Sequence, residues 1–227
     1  MKIVALIPIK LGSKRTLKKN IKPFYDGTPL MHFVQHNCLS SKYIDEVYIY
    51  CSDESVKEYV LPGVKFLKRP DWLDRDDSSA VDILSEFVKT IPADIYVKAH
   101  ATSPFAKPET IDSCIEHVLS GEFDSAFCAR DIKGFLWMNG KPINYDLKSP
   151  PRTQDLPDVY EETSIAYVCA RETFEKYHRV IGETPYIQSV DPIEAVDIDY
   201  PIDFEIADAI YKEIINESKM RSIAAGR

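Results

Sequence analysis

KIVALIPIKLGSKRTLKKN, from Lys2 to Asn20, carries two signals in succession. Lys2–Pro8 is an apolar, β-rich run, the pattern of a central strand buried on both faces. The stretch from Lys10 to Asn20 is polar and basic, and reads as the loop leaving that strand. Outward from it, strand and helix patterns alternate. Glu46–Cys51, the short Val64–Leu67, Asp94–Ala99 and Ser125–Ala129 read as strands, with Ser164–Cys169 and Tyr186–Val190 as later ones. A turn at Asp26–Pro29 leads into a helix to about Ser40, and Asp77-Ser78-Ser79 caps a helix through Ile91 whose Val81, Leu84, Phe87 and Val88 share one face. Pro108–Leu119 is a further helix, with Gly121 just past its end. Asp203–Ile215 is amphipathic through Phe204, Ala207, Ile210, Tyr211 and Ile214, and Glu217 onward is expected to fray. Such alternation predicts an α/β fold, a three-layer αβα sandwich around a mostly parallel sheet. With no internal repeat and no linker, residues 1–227 read as a single domain. Gly134–Tyr160 is too long and irregular for a simple connection and reads as an excursion, a lid or a dimer contact. Ligands of open α/β sheets bind beyond the carboxyl ends of the strands, which points to Ile9–Asn20, His100–Pro104 and the loop after Val196.

Composition narrows the function classes. The chain has 227 residues, 44% hydrophobic and 28% charged, the range of a globular protein rather than a disordered or fibrous one. It has only 8 glycines, and neither the G-x-G-x-x-G nor the G-x-x-x-x-G-K-[ST] motif occurs, which argues against a dinucleotide-binding Rossmann enzyme and a P-loop NTPase. The net charge of −8 is unevenly spread. Seven basic residues and no acid precede Asp26, whereas nine acids and a single lysine lie between Asp191 and Glu217. This polarity suits a small anionic ligand better than nucleic acid, which the overall field would repel. A solvated basic loop is the plainer alternative. Five scattered cysteines without C-x-x-C read as buried free thiols of a reducing compartment. Ile3–Ile9 is too short to span a membrane and lacks a signal-cleavage pattern, so a soluble, cytoplasmic protein is expected.

Four segments carry candidate chemistry. In the first loop, Gly12-Ser13 lets backbone N–H groups approach phosphate, while Lys10, Lys14 and Lys19 supply the charge a triphosphate needs. Asp197 and Asp199, if at a strand end, fall on the same side and form a common Mg²⁺ pair, or else a solvated pair. Asp203 is an N-cap candidate. His100-Ala101-Thr102-Ser103-Pro104 could hold a ribose or base, or His100 could be structural. His32 and His36 have metal-binding spacing but no third ligand and read as surface residues. Arg152 is a fork for carboxylate or phosphate, or a rim salt bridge, in a region with Tyr160–Ser164. With no Ser-His-Asp set and no G-x-S-x-G elbow, the chemistry reads as metal-assisted phosphoryl transfer.

Taken in order, IPIKLGSKRTLKKN, CSD at Cys51–Asp53, KRPDWLDRDDSS at Lys68–Ser79, HATSP, PRTQDLP and VDIDYPIDFEIADAI resemble the acylneuraminate cytidylyltransferase family, the CMP-sialic acid synthetases and their relatives on other 2-keto-3-deoxy sugar acids. The resemblance implies a glycosyltransferase-A-like nucleotidyltransferase fold. It further implies a homodimer to whose sites the excursion contributes, CTP as co-substrate, Mg²⁺ as cofactor and a place in making CMP-sugars for cell-surface polysaccharide. It puts Lys10, Gly12, Ser13, Lys14, Lys19 and Asn20 at the CTP phosphates, Arg69, Ser79 and His100 around the nucleotide, and Asp197 and Asp199 on the metal. Arg152, Gln154 and Thr163 fall to the sugar acid. Lys19, Asp197 and Asp199 are expected to carry the chemistry, attack of the anomeric hydroxyl on the α-phosphate with release of pyrophosphate. The chain departs from the family at Lys10, where Arg is usual, at His100, where Gln is common, and at Thr163-Ser164 in place of Asn-Gly. These departures leave the acceptor open among N-acetylneuraminate, legionaminic and pseudaminic types. Two rival readings stand beside it: a metal-dependent glycosyltransferase using a nucleotide sugar, and a catalytically silent nucleotide- or sugar-binding paralogue.

Overall fold

A computed structural model describes residues 1–12 and 16–225, with side chains as far as Asn216. The elements in chain order are β1 (Ile3–Pro8), α1 (Leu30–Ser40), β2 (Glu46–Cys51), β3 (Val64–Lys68), α2 (Ala80–Thr90), β4 (Ile95–Ala99) and α3 (Pro108–Leu119). There follow β5 (Ser125–Asp131), β6 (Trp137–Met138), β7 (Lys141–Pro142), β8 (Tyr160–Ala170), α4 (Arg171–Tyr177), β9 (Pro185–Val190) and α5 (Pro201–Ala225).

Seven strands form one sheet in the order β3-β2-β1-β4-β8-β5-β9. β1 lies inside it, flanked in parallel by β2 and β4, and Val4, Ala5, Leu6 and Ile7 are fully buried, as its uninterrupted apolar run requires. β8 is the exception to the parallel pattern: it inserts between β4 and β5 and runs antiparallel to both. One face packs against α1 and α3, with Ile7, Val97 and Val168 meeting Met31, Val34, Ile111 and Ile115. The other packs against α2 and α4, with Leu6, Tyr50 and Tyr96 meeting Leu84, Phe87 and Phe174. α5 lies outside these layers and is fastened through a small cluster of Phe24, Leu30, Ile198, Phe204 and Ala207. All five cysteines are buried free thiols, and among the described residues no helix is long and apolar enough to cross a membrane.

Ser79 caps α2 in a reciprocal box: its Oγ accepts from Asp82 N at 3.1 Å and Asp82 Oδ2 accepts from Ser79 N at 2.8 Å, a device worth about 1 kcal/mol. Other expectations are corrected. Asp203 is not an N-cap; it sits in the first turn of α5 and reaches back to accept from Asp199 N at 3.0 Å and Tyr200 N at 2.7 Å. The helix continues to Ala225 rather than fraying at Glu217. His32 is half-buried, its Nε2 enclosed without a partner, and is not a surface residue. The excursion contains a β6–β7 ribbon and a 3-10 turn at Thr153–Asp155.

The pairing of β8 with β5 is interrupted where it matters for the site. β5 passes from Phe127 to Ala129 while β8 passes from Tyr167 to Glu162, so the intervening β8 residues bulge out of the ladder. Thr163 Oγ1 donates to Cys128 O at 3.0 Å and stabilises the bulge. Bulges of this kind re-aim side chains beside functional clefts.

Candidate active site

Lys19 anchors the site. It begins a 3-10 turn, Lys19–Ile21, after Lys18 adopts a left-handed conformation at φ 52°. That geometry turns the Lys19 side chain inward, where it is 7% exposed. Its Nζ donates to Ile198 O at 2.6 Å and pairs with Asp199 Oδ1 at 3.0 Å. Thr16 Oγ1 adds a bond to Asp199 O at 3.0 Å. The loop leaving β1 is thereby clamped to the chain entering α5, and Asn20 Nδ2 braces it by donating to Lys10 O at 3.2 Å.

Asp197 and Asp199 do not lie at a strand end as expected. β9 stops at Val190, and the chain makes a turn before running through 196–199 without partners in the sheet. The two carboxylates still share a side, because Ile198 between them is fully buried in the α5 cluster and its N–H donates to Thr102 O at 2.9 Å. Asp197 Oδ2 accepts from Ser164 Oγ at 3.3 Å, while its buried Oδ1 has no partner. Burial pushes the Asp197 carboxyl above the usual range, and the Asp199 charge adds to the shift against the opposing Thr102 bond and Lys19 charge. Two carboxylates two residues apart, one paired with Lys19 and the other with a buried oxygen left unsatisfied, form a donor set that fits a hard divalent cation. Among the described residues no group of three or more His, Cys, Asp or Glu assembles, so water and ligand oxygens would complete the shell, as Mg²⁺ accepts.

Lys10 and Arg69 converge from β1 and the end of β3 upon Asp74. Lys10 Nζ donates to the Asp74 carbonyl, and Arg69, 2% exposed, donates to the Asp74 carboxylate, which also accepts from Ser52 Oγ. Arg69 Nε is buried without a partner. Among the described residues, a Cβ on Gly12 would meet nothing within 4 Å. Ser13 and Lys14 lie outside the described residues. His100 is enclosed, its Nε2 unpartnered, and burial together with the Lys98 and Lys19 charges lowers it to about 3, so the ring is neutral at physiological pH.

Beside Asp197 opens a cavity of about 330 Å³ walled by Arg130, Glu161, Glu162, Thr163, Ser164 and Asp203. Thr163 lines it, but its hydroxyl is committed to Cys128. Ser164, one residue on, is the side chain that reaches Asp197. Arg130 pairs with Glu161, and Glu162 Oε2 accepts from Tyr167 OH at 3.0 Å. Arg152 and Gln154 are not brought here: both are exposed, and Arg152 Nε pairs with Asp155 Oδ2 at 2.8 Å. No motif marks Arg130 or Tyr167, whose places arise from the pairing of β5 and β8; Asp74 lies inside the Lys68–Ser79 stretch but is not singled out there. Ser164 and Glu162 were inside a quoted stretch, and only the bulge distinguishes their directions.

Known proteins resemble the chain over most of its length. The N-acylneuraminate cytidylyltransferase of Oncorhynchus mykiss is 29% identical over 216 residues, which is 91% of this chain and 49% of that protein. The pseudaminic acid cytidylyltransferase of Campylobacter jejuni serotype O:2 is 25% identical over 226 residues, covering 93% of this chain and 97% of that one. The chain spans about half the length of the fish relatives it matches. In fold it is similar to a CMP:2-keto-3-deoxy-manno-octonic acid synthetase complexed with CTP, with a TM-score of 0.71, 18% identity, and coverage of 94% of this chain and 99% of that one. The family profile described as cytidylyltransferase matches residues 4–225, and the chain belongs to that family.

Proposed function

We propose that this chain transfers CMP from CTP to the anomeric hydroxyl of a nonulosonic or related 2-keto-3-deoxy sugar acid and releases pyrophosphate. The observation that carries the reading is the clamp of Lys19 on the Asp199 carboxylate, with the unsatisfied Asp197 oxygen beside it. It joins the basic loop, suited to a triphosphate, to the acidic pair, suited to a cation, at the rim of one cavity. In this reading Lys10, Gly12, Lys19 and Asn20 receive the phosphates, with the Ser13-Lys14 segment. Arg69, Ser79 and His100 enclose the nucleoside. Asp197 and Asp199 would hold Mg²⁺, which when bound neutralises charge developing at the α-phosphate. The cavity beside Asp197 takes the sugar acid, so Arg130 and Ser164 orient it with its hydroxyl near the nucleotide. Fixing both reactants in this way is the main source of rate in phosphoryl transfer.

Phe135, Trp137, Met138, Ile143 and Leu147 are exposed together on the excursion, which supports a homodimer in which Arg152 and Gln154 serve the partner's cavity. Free buried thiols suit the cytoplasm. The test is a pyrophosphate-release assay crossing the four nucleoside triphosphates with a panel of 2-keto-3-deoxy sugar acids. Release is expected with CTP alone among the nucleotides, and Asp199→Ala should lower it at least ~100-fold, in the range of lost transition-state electrostatics. Turnover of a nucleotide sugar, or no release with any pair, would overturn the reading.

A further inference from the structure

Two lysines are buried among the described residues, Lys19 and Lys98. Lys19 is hydrogen-bonded and ion-paired; Lys98, 5% exposed, is not. Its place follows from the alternation of β4, which sends Val97 and Ala99 to the α1–α3 face and Tyr96 and Lys98 to the other. Opposite it in register on β8 stands Tyr167, whose ring centroid is 5.5 Å from Lys98 Nζ, and in register on β1 stands Leu6. Among the described residues no hydrogen bond or ion pair reaches the ammonium. Burial alone lowers it to about 8. A leucine or methionine would serve this position better if packing were its purpose, since an unpaired buried charge opposes folding.

The surroundings point to a ligand. Two residues along β4, the His100 ring lies 6.1 Å from the Tyr167 ring and carries a buried, unpartnered Nε2. Lys98 and His100, two residues apart along one extended segment, thus both adjoin the Tyr167 ring. Tyr167 OH in turn donates to Glu162, a wall of the cavity beside Asp197. We infer that Lys98 is an anion-holding residue beneath the cleft, taking an oxygen of a bound ligand: either the carboxylate of the sugar acid or a nonbridging phosphate oxygen of the nucleotide. The inference rests on the function proposed above for this site.

Lys98→Met removes the charge at nearly constant volume and tests it. The unliganded variant is expected to melt at or above the wild-type temperature, because a buried unpaired charge is gone, while losing at least tenfold in affinity for one ligand. Calorimetric titration with CTP, and separately with N-acetylneuraminate and 3-deoxy-manno-octulosonate as carboxylate probes, identifies which. A loss confined to CTP assigns the phosphate oxygen, and a loss confined to the sugar acids assigns the carboxylate. Lys98→Arg should recover part of the lost affinity. A lowered melting temperature with wild-type binding of every probe would make Lys98 structural and overturn the inference, as would a raised one with unchanged binding. Wild-type protein that binds none of the probes overturns it as well. Binding that depends on Lys98 without pyrophosphate release would refute the proposed reaction and leave this inference standing.

Discussion

Replacing Lys19 by methionine isolates the contact on which the site is built. The substitution keeps most of the buried stem and deletes the ammonium, with its 2.6 Å bond to Ile198 O and its 3.0 Å pair with Asp199 Oδ1. A bond to a charged donor contributes ~1.5–3 kcal/mol, and removing one partner of a buried pair leaves the other charge uncompensated. Asp199 is 31% exposed at its side chain, so water recovers part of its solvation. The expected loss is therefore about 3 kcal/mol, at the lower end of the ~3–5 kcal/mol of a fully enclosed pair. For a chain of this size that lowers Tm by roughly 6–12 °C. Differential scanning calorimetry of the unliganded protein reads this without reference to any substrate. Lys19→Met, Asp199→Asn and their combination make a double-mutant cycle, and the pair should couple by ~1–3 kcal/mol because the two groups bond directly. A Tm within about 2 °C of wild type for Lys19→Met, set against that 6–12 °C expectation, would show that the loop after β1 is not clamped to Asp199, and the basis for joining triphosphate loop and acidic pair would be lost.

Two further outcomes test the scaffold. Phe87 is fully buried, with its ring 5.4 Å from Tyr50, 5.6 Å from Tyr48 and 6.3 Å from Tyr96 in edge-on packing; Phe87→Ala should cost ~3–5 kcal/mol in urea unfolding with an unchanged m-value, and a loss under ~1 kcal/mol, well short of a core cavity's cost, would contradict the α2 packing. Glu46, bonded by Lys65 and Tyr48 at 2.8 Å and by Lys2 at 3.1 Å, is held down at about 2 against an ordinary 4.5, the Lys65 bond being the largest cause. Because the folded value is depressed, its stabilisation is complete above the unfolded value and fades as pH falls from 4.5 towards 2. The Tm of wild type should exceed that of Glu46→Gln at neutral pH and converge with it in acid; a gap that stays constant with pH would refute the assignment.

What the sequence made legible and what it hid divide by range. β1 was readable because a strand buried on both faces needs an unbroken apolar run, and the cap at Ser79 because its partner Asp82 lies three residues away. Strand alternation is the wrong premise for Asp197 and Asp199, which lie beyond β9, yet the two carboxylates still share a side because the fully buried Ile198 stands between them. The polarity and position of β8 were not legible, since insertion between β4 and β5 depends on pairing across the whole chain rather than on local pattern. That one feature rearranges the site. An antiparallel strand begins where its neighbours end, so the Tyr160 end of β8 reaches the rim at which β4 delivers His100. A search for loops after strands finds the walls contributed by β1, β4 and the segment before α5, and passes over Glu162 and Ser164 because they belong to a strand. Their directions are set by the bulge, which in turn follows from the bond of Thr163 to Cys128, a contact 35 residues distant. The cavity wall is thus specified by strand pairing, whereas the basic loop after β1 and the acidic pair are specified locally. Variation at Glu162–Ser164 should accordingly alter the sugar acid accepted more readily than it alters nucleotide choice.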